Sequence, residues 1–150
     1  MPMEWLRTNV EAARKRVADE VSKFKNRDFM EGTIAAIALV SAADGDISSA
    51  EKQKLIGYFG ASEELKAFKT DDVIAYFKSV TDKFDFDAAI GKAEALRVVG
   101  KLRSNQDAAR LLVRVCCVVG AADGNFDENE KAVVVQICRE LGLNPADFDL

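Results

Sequence analysis

Apolar residues recur at helical spacing along nearly the whole chain. The clearest run contains Val73, Phe77, Val80 and Phe84, which stand four, three and four residues apart and therefore fall on one side of a helix. The chain has only two prolines, and both stand near its ends, so none interrupts a helix in the interior. The pattern predicts an all-α protein that folds as a single compact bundle.

The same spacing predicts about seven helices. The first three span about residues 4–25, 29–43 and 49–59, and a short helix opens at Ser62, anchored by Phe68. The fourth starts near residue 70 and the fifth carries Ile90, Leu96, Val99 and Leu102. The sixth and seventh span about 106–122 and 128–141, and a last helical turn follows Asn144.

Polar residues and glycines mark the expected helix ends. Thr70 is expected to cap the fourth helix, Asp85 or Asp87 the fifth, and Gly60 to end the third. Asp85 and Asp87 belong to an acidic cluster at residues 82–87, which is interpreted as a helix end. Gly91 stands early in the fifth helix, where glycine costs about 1 kcal/mol relative to alanine. We therefore expect close backbone packing there.

The segment between the second and third helices is repeated between the sixth and seventh. Residues 42–52 read AADGDISSAEK and residues 121–131 read AADGNFDENEK, 79 positions later. The repeat predicts two helix-loop-helix units related by an internal pseudo-twofold axis. Such an axis would allow both acidic loops to lie on one surface.

Turn and capping chemistry explains part of each loop. Ser48 with Glu51, and Asp127 with Glu130, are spaced as capping boxes, in which each side chain bonds to the other residue's backbone N–H. A glycine in each loop ends the preceding helix. Capping leaves four polar residues unexplained: Asp44, Asp46, Asp123 and Asn125.

Both loops carry oxygen-bearing side chains at their first, third, fifth and eighth positions. Oxygen-only donors suit a hard cation, so calcium, manganese or magnesium is expected. The spacing differs from that of an EF-hand, whose glycine is sixth and whose bidentate Glu is twelfth. The alternative is that the loops perform capping and turn formation alone. The candidate metal ligands are Asp44, Asp46, Glu51, Asp123, Asn125, Asp127 and Glu130.

Composition excludes several kinds of catalytic site. The chain has no histidine, which removes Ser-His-Asp and Cys-His systems and imidazole zinc sites. Cys116, Cys117 and Cys138 stand in apolar helical runs, where they are expected to be buried core residues. Three such thiols make a poor disulfide framework, which fits a reducing, cytoplasmic location.

Charge divides the chain unevenly. Residues 1–27 hold seven basic and four acidic side chains, a net charge of +3. Because the whole chain has a net charge of −4, residues 28–150 carry a net charge of −7. We expect a basic amphipathic N-terminal helix (1–27) that is part of the domain, followed by an all-helical body (28–150). The basic face is either solvated or docks on a membrane surface or an acidic partner. An acidic body of this kind argues against nucleic-acid binding.

The sequence contains no segment expected to enter or cross a membrane. The longest apolar stretches, 33–43 and 115–122, fall short of the roughly 20 residues that a transmembrane helix needs. The first residues lead into a charged segment, so no signal peptide is expected.

Several stretches, in order along the chain, resemble the bacterial tellurite-resistance protein TerB family. They are FMEGT at 29–33, DGDISSAEKQK at 44–54, SEELK at 62–66, FDFD at 84–87, IGK at 90–92, DGNFDENEK at 123–131 and LGLNPADF at 141–148. The resemblance implies an all-helical domain with internal pseudo-symmetry and a cytoplasmic role in the response to tellurite and other chemical stress. It also implies association with an integral membrane partner of the TerC type. The family's acidic loops are proposed to chelate metal, which here implies Asp44, Asp46 and Glu51 with Asp123, Asp127 and Glu130.

Three functions are consistent with the sequence to different degrees. The favoured one is a divalent-cation-binding or cation-sensing adaptor, in the cytoplasm or peripheral at the inner face of the membrane. The alternative is an interaction module whose acidic face docks a basic or membrane-associated partner without a specific metal. The third, an enzyme that reduces tellurite through thiols, requires an exposed cysteine of low pKa. The expected burial of all three cysteines argues against it, so we expect no enzyme.

Overall fold

The computed structural model describes residues 10–24, 26–43, 45, 47–62, 65–122 and 126–150. These residues form seven α-helices, two short 3₁₀ turns and no strand, so the all-α prediction is confirmed. The helices are α1 (Val10–Val21), α2 (Arg27–Ser41), α3 (Ser49–Ala61), α4 (Thr70–Phe86), α5 (Ala88–Gly100), α6 (Gln106–Ala122) and α7 (Glu128–Glu140). The 3₁₀ turns are Lys101–Ser104 and Pro145–Phe148.

Helix α2 lies at the centre of the bundle and contacts α4, α5, α6 and α7. Its small residues Ala35, Ala36 and Ala38 are fully buried. Because these positions carry no bulky side chain, neighbouring helices can approach α2 closely. Gly32 has the same effect, since a Cβ there would lie 2.9 Å from Leu102 Cδ1. Four of the other helices therefore pack against α2, whereas α1 packs on α6 and α3 on α4.

Helix α1 packs against α6 through one apolar face. Ala13, Val17 and Val21 are buried on that face, and Arg114 Nη1 of α6 lies 3.2 Å from Glu20 Oε2. The predicted start near residue 4 lies outside the described residues. The helix ends at Val21, earlier than the predicted residue 25, and residues 22–23 form a turn.

Two further predictions about helix ends are wrong. Thr70 is the first residue of α4, and Lys69 holds the cap position without a side-chain bond. Gly60 lies inside α3, which continues to Ala61. The described part of the predicted short helix after Ser62 is a turn at residues 65–67, and Ser62 Oγ accepts a hydrogen bond from the backbone N–H of Leu65.

The junction between α4 and α5 is tight. Asp87 caps α5, as predicted, since its Oδ1 accepts hydrogen bonds from the backbone N–H groups of Ala89 (2.9 Å) and Ile90 (3.1 Å). A Cβ on Gly91 would lie 2.7 Å from the backbone N and Cα of Phe84, so the predicted close backbone packing is confirmed. Ile90, grouped by its spacing with the apolar residues of α5, is instead exposed.

Candidate metal loops and an adjacent cleft

The structure describes part of each candidate metal loop. It describes Glu51, Asp127 and Glu130, whereas four other predicted ligands lie outside the described residues: Asp44, Asp46, Asp123 and Asn125. Both loops lead directly into a helix, the first into α3 and the second into α7. The described part of each loop is therefore the half that begins the following helix.

The second loop forms the complete predicted capping box. Asp127 Oδ1 accepts a hydrogen bond from the Glu130 N–H (2.8 Å), and Glu130 Oε1 accepts one from the Asp127 N–H (3.1 Å). Phe126 anchors the loop against α6, where a Cβ on Gly120 would lie 2.8 Å from its ring. Lys131 Nζ lies 6.0 Å from the centroid of the same ring, at the edge of cation–π range.

The first loop forms only half of the predicted box. Ser48 Oγ accepts a hydrogen bond from the Glu51 N–H at 3.2 Å, but the reciprocal bond from the Glu51 side chain is not made. Among the described residues the Glu51 carboxylate has no hydrogen-bond or ion-pair partner, and Glu51 is exposed. Ile47 is buried beneath the loop and Gly45 has a φ of 126°, a conformation that favours glycine.

The described donors are all oxygen atoms, which fits a hard cation better than a soft one. Capping and coordination are compatible at Asp127, because the cap uses Oδ1 and a carboxylate has a second oxygen. Within the described ranges no cluster of three or more His, Cys, Asp or Glu side chains is placed to hold a metal. A cation site with three or more such ligands in these loops would thus need at least one from outside the described residues, where Asp44, Asp46 and Asp123 lie.

A cleft of about 300 Å³ lies beside the first loop. Gly45 opens onto it, and its other walls come from the end of α2, the α4–α5 junction and α7. Lys52 Nζ bonds to Asp85 Oδ2 at 2.5 Å and ties the start of α3 to the same junction. Sequence analysis missed this cleft, although the acidic cluster at 82–87 was a signal for the junction. The lining residues are Leu39, Ala42, Ala43, Gly45, Phe84, Ala88, Ala89, Lys92 and Val133.

The three thiols are buried, as predicted. Burial raises the pKa of Cys117 to about 12 and the pKa of Cys138 to about 11, and it raises the pKa of Cys116 well above its usual range. Because the thiolate is the nucleophile, these thiols are poor reagents near neutral pH.

Alkylation by iodoacetamide at pH 8 tests this directly. A thiol with a pKa of about 11 is about one part in a thousand thiolate at pH 8, so we expect native labelling at least ~100-fold slower than labelling in guanidinium chloride. The modified sites can be read by mass spectrometry. One native cysteine labelled at the unfolded rate would contradict the buried assignment and reopen thiol chemistry.

No helix in the described part of the chain is both long enough and apolar enough to cross a bilayer.

Comparison with known proteins gave two matches and one negative result. A family model described as tellurite resistance protein TerB matches residues 30–150. The tellurium resistance protein TerB of Alcaligenes sp is 41% identical over 104 residues, which are 69% of this chain and 85% of that protein. No solved structure matches significantly.

Proposed function

This chain belongs to the TerB family of tellurite resistance proteins, and we propose that it acts in that resistance as a divalent-cation-binding or cation-sensing adaptor. The cation, calcium, manganese or magnesium, is held by the acidic loops. The adaptor is cytoplasmic or peripheral at the inner face of the membrane, has no catalytic activity of its own, and associates with a membrane partner of the TerC type.

The observation that carries the proposal is the state of Glu51. Its counterpart Glu130 completes a capping box, whereas the Glu51 carboxylate is exposed and bonds to none of the described residues. A carboxylate that the helix cap does not use can serve as a ligand without weakening the fold. This asymmetry favours the first loop as the stronger cation site.

Charge gives a second reason. Asp44, Asp46 and Glu51 place three negative charges within eight residues, and Asp123, Asp127 and Glu130 place another three within eight residues of the second loop. Like charges at such density repel one another unless a cation or a basic partner compensates them. A bound divalent cation would supply two positive charges, so loop charge, and with it affinity for a charged partner, would follow cation concentration.

Calorimetric titration of calcium, manganese, magnesium and zinc into metal-free protein tests the proposal. We expect saturable binding at micromolar levels by a hard cation and at least ~10-fold weaker binding for Asp44→Asn, because one charged oxygen ligand is lost. Asp123→Asn reports on the second loop in the same way. Asp72→Asn, which removes an exposed carboxylate from the first turn of α4, is the matched control and should bind like the parent.

The effects of the two loop substitutions on cation binding also distinguish one shared site from two separate sites. Complete loss on either single loop substitution would mean that the two loops share one site, and separate losses would mean two sites. No saturable heat with any of the four cations would reject the cation role. The alternative would then stand: an interaction module whose acidic face docks a basic or membrane-associated partner, favoured by the apolar cleft beside the first loop.

A further inference from the structure

A second cleft, of about 360 Å³, lies between α1, α6 and the last 3₁₀ turn. Its volume falls within the usual range of small-molecule sites. The buried apolar residues Val17 and Phe148 line it, together with three guanidinium groups and two carboxylates. We call it the arginine cleft and define it by its charged lining residues: Arg16, Glu20, Arg110, Arg114 and Asp147.

Helical geometry brings the three guanidinium groups together. Arg110 and Arg114 stand four residues apart on α6, so their side chains lie on one side of that helix. Arg16 lines the same cleft from α1. Positive side chains gathered in this way repel one another, so the arrangement is favourable where negative charge compensates them.

The carboxylates of the cleft compensate two of the arginines, and only weakly. Arg114 Nη1 lies 3.2 Å from Glu20 Oε2, whereas Arg110 Nη1 lies 3.6 Å from Asp147 Oδ2, too far for a hydrogen bond. The four side chains are between 36% and 45% exposed, and ion pairs this accessible to water contribute little to stability. Both arginines therefore keep N–H donors that a ligand can use.

Arg16 is the arginine that the fold itself does not use. It is exposed, and it forms no hydrogen bond or ion pair with another described residue. The cleft consequently carries three positive and two negative side chains, a local excess of positive charge in a chain whose net charge is −4. An adjoining cavity of about 280 Å³ shares three of these side chains and adds Lys23 and Asp107, which leaves the excess unchanged.

We propose that the arginine cleft binds a small oxyanion that carries one or two negative charges. The N–H groups of Arg16, Arg110 and Arg114 donate to its oxygen atoms, because planar guanidinium groups match the spacing of oxygens on such anions. Val17 and Phe148 exclude water from part of the cleft, which strengthens these charged hydrogen bonds. Inorganic phosphate belongs to this class of ligand, and so does tellurite, the anion in the family's name.

The site goes beyond the cation role and does not depend on it. Calorimetric titration of sodium phosphate, and separately of tellurite, into the full chain tests it. EDTA is present throughout, so that no divalent cation can bridge an oxyanion to the acidic loops. We expect saturable binding of at least one of the two oxyanions, in the millimolar range or tighter.

Arg16→Gln should weaken oxyanion binding at least ~10-fold, because it removes a charged hydrogen-bond donor from the cleft. Lys15→Gln is the matched control. It removes one positive charge from the neighbouring exposed position of α1, which does not line the cleft, and should bind like the parent. Equal losses for the two variants would indicate diffuse attraction to a basic helix and would overturn the proposal.

Asp147→Asn should have the opposite effect. It removes the carboxylate that competes with the ligand for Arg110, so we expect binding at least ~3-fold tighter than that of the parent. Asp72→Asn makes the same change on α4, away from the cleft, and should leave the affinity unaltered. Circular dichroism verifies that all four variants are folded.

NMR signals of the arginine side-chain Nε–H groups locate the ligand. Shifts of Arg16, Arg110 and Arg114 on addition of phosphate or tellurite support the proposal, and shifts confined to other arginines would overturn it. No saturable heat with either oxyanion would also overturn it. Sedimentation with phosphatidylglycerol vesicles that only Arg16→Gln abolishes, without binding of a dissolved oxyanion, would assign the cleft to a membrane surface instead.

The two proposals fail separately. Oxyanion binding by a protein that binds none of the four cations would leave the arginine cleft standing and remove the cation role. Saturable cation binding without oxyanion binding would do the reverse.

Discussion

Phe77→Ala is expected to lower the free energy of unfolding by about 3–5 kcal/mol, the usual cost of removing a fully buried aromatic ring. Phe77 is 1% exposed in the middle of α4, and its ring meets the edge of Phe59 with centroids 5.0 Å apart. The substitution removes that contact and leaves a cavity between α3 and α4. Urea unfolding followed by circular dichroism at 222 nm measures the change.

Phe86→Ala is the matched control, because it makes the same substitution in the same helix. Phe86 is exposed, so the free energy of unfolding should change by less than about 0.5 kcal/mol. An equal cost at the two positions would mean that Phe86 is packed in solution and would contradict its exposed position.

The faces of the long helices could be predicted because helical geometry alone determines which residues share a side. In α4 the predicted stripe is the observed buried one, with Val73, Phe77, Val80 and Phe84 all in the core. Helix ends were less well predicted. More than one residue near a helix start can occupy the cap position. In α4 that residue is Lys69, so Thr70 is the first helical residue and does not cap the helix.

The candidate loops show what spacing cannot determine. Both carry the same cap-x-x-Glu pattern, yet only Glu130 bonds back to its cap, while Glu51 remains exposed. The difference depends on how each loop packs on its neighbours. The cleft was missed for a related reason, because Gly45, Phe84 and Val133 meet only in the folded chain.

Ile90 was grouped with the apolar residues of α5 by spacing, but tertiary packing turned it outward. Gly91 faces the backbone of Phe84, and successive helical residues point about 100° apart. Placing Gly91 against α4 therefore rotates Ile90 away from that contact toward solvent. The same close approach thus helps to explain why Ile90 is exposed.

Two glycine-to-alanine substitutions should consequently have effects of opposite sign. Gly57 lies inside α3, and beyond its own chain neighbours and helix backbone no described atom lies within 4 Å of the position of a Cβ, so Gly57→Ala should stabilise the protein by up to about 1 kcal/mol through helix propensity. It is the control for Gly91→Ala, since the chemical change and the helical context are the same.

Gly91→Ala should destabilise the protein by about 2–3 kcal/mol. Its Cβ would lie 2.7 Å from the backbone N and Cα of Phe84, and backbone atoms cannot move aside as a flexible side chain can, so α4 and α5 must separate. Urea midpoints of the two variants and the parent decide the question. A stabilised Gly91→Ala would mean that α4 and α5 do not approach so closely, and the outward orientation of Ile90 would lose its physical explanation.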